Sequence, residues 1–142
     1  MANENLLFKL KIDDWIDSVS EALPEIIDEA LNNAARDIVN LSPVDTGRFK
    51  GNWQATGNNP SLISLNNYDK DGADTINSLR RQIHALARDR ATSTIYITNA
   101  LTYSVPLEFG YSGQAPNGIL GIVSKRLGFY FNDAIRKVGN AL

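Results

Sequence analysis

The chain has 142 residues, a length that fits one domain with a sizeable core, and its 43% hydrophobic and 21% charged residues are near the globular norm. It has no cysteine and one histidine, which excludes disulfides, thiolate metal sites, cysteine nucleophiles and multi-histidine metal sites. The formal charge of −2 is unevenly distributed, since residues 1–45 carry −7 and residues 46–142 carry +5. Oppositely signed surfaces favour head-to-tail stacking on other copies or on a charged partner, although a solvated acidic helix beside scattered bases would have the same pattern.

Residues 13–40 are predicted to form a long helix, because apolar residues recur along them every three or four positions. Asp13 fits the N-cap of this helix. Pro24 is expected to kink or break it, since an interior proline removes one hydrogen bond, and Pro43 is expected to end it.

A turn and a strand are predicted next. Asp45, Thr46 and Gly47 suit a turn in which the Asp45 side chain bonds the backbone two residues on and Gly47 adopts a positive φ. Residues 49–55 alternate between apolar or small and polar side chains, which predicts a strand with one polar face.

Residues 57–74 are rich in Gly, Asn, Asp and Ser and lack helical periodicity, which predicts a long, mobile loop. Leu62, Ile63 and Leu65 are expected to dock part of it, as a short strand. The DKDG segment at 69–72 resembles part of a calcium loop, but the remaining ligands are missing, so calcium binding is not expected.

Further elements are predicted in the second half of the chain: a helix at 75–88 capped by Asp74, a strand at 93–98, a short extended piece around Tyr103 and Val105, a constrained loop at 106–118, and a last helix from about Pro116 to Val138. Together they predict a single-domain α+β fold. A small, mostly antiparallel sheet of three or four strands would pack with a long N-terminal, a short middle and a long C-terminal helix. One face or edge of the sheet is then left for a partner.

Glu108 is the best catalytic candidate, because a carboxylate in a glycine-flanked loop can act as a general acid, for example in a cell-wall hydrolase. The alternative is that Glu108 caps a backbone turn or pairs with an arginine. No second carboxylate lies at a spacing from Glu108 that indicates a catalytic pair. His84 is expected to be an exposed surface residue between arginines. No phosphate-loop motif occurs, so we expect no catalytic residue, metal or cofactor.

Four arginines could line one helical face and its exit: Arg80, Arg81, Arg88 and Arg90. They could contact passing DNA without reading its sequence, or pair with the acidic first helix of the same or the next copy, which is the favoured interpretation. A pI near 5.3 argues against a dedicated DNA-binding module. The chain has no run of eighteen apolar residues and begins without the apolar core of a secretory signal, so no membrane partner is expected.

Two segments stand out together, SPVDTGRFKGNW at 42–53 and YSVPLEFGYSGQAPNGIL at 103–120. In this order and at this separation, they resemble the neck or tail-completion (head–tail joining) proteins of long-tailed double-stranded DNA bacteriophages. The resemblance covers most of the chain, from Ile12 to Val138. The stretch at 57–90 is longer than the core pattern needs, which leaves its contacts open.

The resemblance implies a structural virion protein rather than an enzyme. Such proteins form a ring, commonly of six copies, that continues the DNA channel in the neck. The implied partners are other copies of the chain, an adjacent connector, adaptor or stopper protein, and a tail terminator or tail tube protein, with non-specific contact to passing DNA. The implied location is the virion neck, after assembly in the host cytoplasm. A tail terminator or a head-completion stopper, with the same architecture at another axial position, is the nearest alternative.

The resemblance also implies which residues contact a neighbouring subunit or partner: Pro43, Asp45, Thr46, Gly47, Arg48, Glu108, Phe109, Gly110, Tyr111, Ala115 and Pro116. Pro43 to Gly47 would fix the corner after the first helix, and Glu108 to Gly110 the corner before the last one, which would start at Ala115 and Pro116. Phe109 and Tyr111 are the expected interface anchors, because loop aromatics offer a large area for burial. The alternative is that these residues only maintain the monomer fold.

Overall fold

The computed structural model describes the backbone of residues 2–110 and 112–141 and the side chains of residues 20–110 and 112–140. Its elements, in chain order, are α1 (Ala2–Leu41), a 3₁₀ turn (Lys50–Asn52), β1 (Trp53–Gly57), α2 (Ala73–Arg88), β2 (Ile95–Asn99), α3 (Ser104–Glu108), α4 (Leu120–Lys125) and α5 (Leu127–Ala141). The predicted α+β class with an antiparallel sheet is confirmed. Over the described residues the sheet has two strands, so the expectation of three or four was wrong.

α1 is the element on which the other long helices pack, and both α2 and α5 lie against it. Its buried stripe includes Ala30, Ala34 and Val39, none more than 2% exposed. Short side chains let neighbouring helices approach closely, so this stripe lets α1 serve as the shared support of the core.

The ends of α1 differ in part from the prediction. The helix begins at Ala2, so Asp13 is an interior position and not the N-cap, and it runs through Pro24 without a break. Ala22 and Ile26, on either side of the proline, are buried in one core, and this shared packing holds both sides in one helix. α1 ends at Leu41, two residues before Pro43, as expected.

The sheet pairs β1 with β2 in antiparallel register, with Trp53 opposite Asn99 and Gly57 opposite Ile95. β1 starts four residues later than predicted, because the chain first forms the 3₁₀ turn, in which the Asn52 N–H donates to the Phe49 carbonyl at 3.1 Å. On the side away from β2, the Ala55 N–H donates to Gln82 Oε1 of α2 at 2.8 Å. α2 therefore satisfies the second edge of β1.

The segment at 58–72 crosses the polar face of the sheet. Gln54 Nε2 donates to the carbonyl of Ile63 at 2.7 Å, and Thr56 Oγ1 donates to the carbonyl of Asn59 at 2.7 Å. No strand forms here, and Leu62 and Ile63 are exposed, so the expectation that they dock was wrong. The segment is anchored at several points, and its mobility stays a prediction.

The C-terminal region also differs from the prediction. The helix α3 occupies the place of the expected extended piece, and two helices, α4 and α5, replace the single helix predicted from about Pro116. Gly118 has a φ of +79°, which a right-handed helix cannot contain, so helical structure begins only at Leu120. Ala115 and Pro116 therefore precede the helix instead of starting it.

None of the helices, over the residues that the structure describes, combines the length and apolar character needed to cross a membrane.

Candidate functional site

The first corner is the turn that follows α1. Pro43 and Gly47 are buried, whereas Asp45 and Thr46 are exposed. Gly47 has the predicted positive φ, +85°, and a Cβ there would lie 2.7–2.8 Å from backbone atoms of Asp69 and Lys70, so only glycine fits.

The hydrogen bonds of this corner differ from the prediction. Asp45 makes none with the described residues, and Thr46 Oγ1 instead accepts the Arg48 N–H at 3.2 Å. Arg48 is half-buried, and its Nε is a buried donor without a described partner. A buried unpaired donor carries a desolvation penalty, so the corner holds a polar group that a further contact would satisfy.

Asp69 ties the first corner to α2. Its Oδ2 accepts the Thr75 N–H at 2.8 Å and the Thr75 hydroxyl at 2.6 Å, and its Oδ1 accepts the Gly72 N–H at 3.1 Å. The predicted cap, Asp74, is exposed, and Gly72 occupies the N-cap position. Burial raises the pKa of the Asp69 carboxyl, but the hydrogen bonds from Thr75 and Gly72 outweigh it, so this pKa lies below its ordinary value.

The second corner is built around Glu108 at the end of α3. Its Oε2 accepts the N–H groups of Ile119 at 2.9 Å and Leu120 at 2.8 Å, and its Oε1 accepts the Gly121 N–H at 2.7 Å. These are donors at the start of α4 that lack a carbonyl partner within the helix. The backbone cap considered from the sequence is therefore the arrangement that Glu108 adopts.

Gly110 closes the C-terminal end of α3, where its N–H donates to the Leu107 carbonyl at 3.1 Å. Ala115 is buried beneath the following loop, while Pro116 is exposed. Tyr111 lies outside the described residues.

The two corners are joined directly. Gln114 Oε1 accepts the Val44 N–H at 2.8 Å, and Gln114 Nε2 donates to the Val44 carbonyl at 2.9 Å. A cavity of about 210 Å³ lies between the first corner and the loop that follows the second, lined by Asp45 and Arg48 on one side and by Ser112 and Gln114 on the other. Neither Gln114 nor Val44 was predictable as a member of this contact, because a lone glutamine in a loop has no periodicity that would mark its partner.

An apolar groove adjoins the second corner. It has a volume of about 300 Å³ and lies between β2 and α3, with Ile97 on one wall and Val105 and Phe109 on the other. Phe109 is 78% exposed and Val105 is 62% exposed. Large apolar side chains this open to water are typical of contact surfaces.

The four arginines differ in their ion pairs. Arg88 pairs with two acids of α1, Asp28 at 2.7 Å and Glu25, and these hydrogen bonds raise the pKa of its guanidinium above the ordinary value. Arg80, Arg81 and Arg90 are exposed and make no ion pair with the described side chains.

Other bases also pair with α1 within the same copy. His84 Nδ1 lies 2.9 Å from Asp28 Oδ2, and Lys137 Nζ lies 3.1 Å from Glu29 Oε1. The expected pairing with the acidic first helix is thus confirmed for Arg88, in its intramolecular form. His84 is exposed, as predicted, although it contacts α1.

Comparison with protein-family models, with curated proteins and with solved structures finds no significant match.

Proposed function

We propose that this chain is a structural virion protein that forms a ring in the neck of a long-tailed bacteriophage. The ring joins the portal or connector side to the tail and continues the DNA channel. Its partners are other copies of the chain, a connector, adaptor or stopper protein on the head side, and a tail terminator or tail tube protein on the other side.

The observation that carries the proposal is the hydrogen-bonded pair of Gln114 and Val44. It joins the two segments on which the phage resemblance depends, although they are far apart in sequence. The two segments are thus joined into one feature, and residues of both line a shared cavity. Phe109, which follows α3 in the second segment, is 78% exposed. A rigid corner that presents an aromatic side chain is suited to contact another protein.

The polar groups of the feature also support a contact role. Arg48 holds a buried donor that no described residue satisfies, and it lines the cavity between the first corner and the loop that follows the second. An acceptor from a neighbouring subunit would remove that penalty. Four of the five acidic side chains of α1 that the structure describes pair within the copy, so the corners and the groove support the proposal more strongly than the charge asymmetry does.

The geometry of Glu108 favours this proposal over a carboxylate-dependent hydrolase. Both carboxylate oxygens accept backbone N–H groups of the α4 start. A general acid must instead hold a proton and direct it at the substrate. Glu108 in this arrangement holds the backbone at the start of α4 in place.

The exposed bases leave room for DNA contact. Arg80, Arg81 and Arg90 face solvent, and a few phosphate contacts would give weak, salt-dependent binding. Tight binding of the isolated monomer to duplex DNA would instead favour a DNA-binding module.

The proposal is tested by native mass spectrometry and negative-stain electron microscopy of the purified chain. We expect a closed oligomer with a central opening. Binding of this oligomer to connector proteins or to tail proteins then shows its axial position, which distinguishes a neck ring from a tail terminator or a stopper. The proposal is contradicted if the chain stays monomeric both alone and in mixtures with connector or tail proteins, or if it hydrolyses cell-wall material.

A further inference from the structure

One edge of β2 has no partner strand among the described residues. The Asn58 N–H donates to the Thr94 carbonyl at 2.8 Å, which marks that pair as hydrogen-bonded. Pairs alternate along an antiparallel ladder, so the backbone groups of Ile95 and Ile97 point away from β1. Free edges are commonly blunted by charged residues or proline, and the β2 sequence, IYITN, contains neither.

This open edge borders the apolar groove beside α3. Ile97 and Thr98 line the groove together with the exposed Val105 and Phe109. The Thr98 hydroxyl is buried and has no hydrogen-bond partner among the described residues. The groove therefore places unpaired backbone groups next to an apolar wall, which is the arrangement that accepts an added strand.

The same chain presents a segment that fits this groove. Leu62 and Ile63 are 87% and 68% exposed, at the outermost point of the segment that crosses the sheet. Gln54 holds the Ile63 carbonyl at 2.7 Å, and Asn52 accepts the Leu65 N–H at 2.6 Å, so one side of the segment is fixed to its own sheet. The backbone groups of Leu62 and Ser64 make no hydrogen bond with the described residues. No charged residue occurs between positions 57 and 66, so insertion would bury no charge.

We infer that residues 61–65 of one copy add as a third strand to the open edge of β2 in the next copy, with Leu62 on the groove face packing against Val105 and Phe109. The inference rests on the proposed function, because it names the contact by which the copies meet. Donor segment and acceptor groove are different surfaces of one molecule, and such a contact is head-to-tail and can close into a ring.

The contact is small for one that must hold two subunits together. Five paired residues and three apolar side chains bury much less than the roughly 1,600 Å² of a standard stable interface. A single contact is therefore weak, and closure of the ring, in which every copy is held twice, supplies the remaining stability.

Cross-linking tests the geometry, because the chain has no cysteine of its own. Ser64→Cys places a thiol on the donor segment, Val105→Cys places one on the groove wall, and both substitutions change side-chain size little. With a short thiol cross-linker we expect dimers from the mixture of the two variants and none from either variant alone. A control mixture of Ser64→Cys with Asn132→Cys, which is exposed on α5, should give no dimer.

Dimers from Ser64→Cys alone, or none from the first mixture, overturn the inference. Native mass spectrometry separates that failure from failure of the proposed function. Leu62→Asp/Ile63→Asp should abolish the closed oligomer, while Asn66→Asp, which adds one charge at an exposed position outside residues 61–65, should leave it intact. If the wild type and the double variant both form closed oligomers, the strand-addition contact is wrong, while the proposed ring remains supported. A wild type that neither oligomerises nor cross-links overturns both.

Discussion

Gln114 and Val44 are 70 residues apart in sequence and share two hydrogen bonds, 2.8 Å and 2.9 Å long. The glutamine side chain pairs with both backbone groups of Val44, as a neighbouring strand would. The turn after α1 and the loop before α4 are therefore held at a fixed distance. A partner that enters the cavity between them would contact both.

We predict that Gln114→Ala lowers the free energy of unfolding by about 1 kcal/mol, because two partly exposed hydrogen bonds are lost. Chemical denaturation measures the change. Asn117→Ala is the matched control, since Asn117 is an exposed amide in the same loop that makes no hydrogen bond with the described residues. Equal losses in the two variants would contradict the role of Gln114.

Glu108→Ala should lower the free energy of unfolding by about 1–2 kcal/mol, because the first N–H groups of α4 lose their acceptor. Glu108→Gln retains one oxygen and should lose less. Thermal denaturation followed by circular dichroism ranks the stabilities of the wild type, Glu108→Gln and Glu108→Ala, which we expect to decrease in that order. If both variants were as stable as the wild type, Glu108 would not be acting as a cap, and the catalytic alternative would regain support.

Asp69→Asn should lower the free energy of unfolding by about 1–3 kcal/mol at neutral pH, since an amide nitrogen would face donor groups. The pKa of Asp69 is lower in the folded than in the unfolded chain. Its contribution is therefore complete above the ordinary Asp pKa of 3.8 and is lost as the pH falls below that value toward the folded pKa. Denaturation across this range should show the difference between the wild type and Asp69→Asn shrinking with acid. Asp74→Asn, at an exposed acid in the first turn of α2, is the matched control and should change the free energy of unfolding little at neutral pH.

Asp28→Asn removes the acid shared by Arg88 and His84. The loss should be at most about 1 kcal/mol, because the pairs are partly exposed. In about 1 M salt, where the Debye length is about 3 Å, the loss should shrink. Asp45→Asn makes the same charge change at an acid without a described partner and should have little effect at either salt concentration.

Phe109→Ala should leave the monomer folded and weaken assembly, because the side chain is 78% exposed. Phe129→Ala is the matched control, since Phe129 is 69% exposed but lies on α5. Sedimentation velocity and circular dichroism report assembly and folding separately. An unfolded Phe109→Ala monomer would show that Phe109 belongs to the core.

The long helices were predictable because burial imposes a regular apolar period. The stripe of α1 and the one carrying Leu79 and Ile83 on α2 are visible in the sequence and are buried in the structure. The positive φ of Gly47 was predictable for a similar reason, since a tight turn limits which residue can occupy it.

The polar connections were not predictable, because they depend on which loops meet. Asp69, and not the nearer Asp74, caps α2, since the chain folds Asp69 back over the helix start. Arg88 could be expected to pair with the acidic helix, but the choice of Asp28 and Glu25 follows from the packing of α2 on α1. The interface roles of the two corners stay a prediction.

The support that α1 gives to both α2 and α5 has a consequence for biosynthesis. α1 is synthesised before α5 and is about 60 Å long at a rise of 1.5 Å per residue. Part of its apolar stripe is covered by α5, which leaves the ribosome about a hundred residues later. Until α5 has been synthesised, the nascent chain carries an exposed apolar ridge. Folding to completion must therefore wait until translation has passed α5, and a chaperone that shelters this ridge would raise the yield.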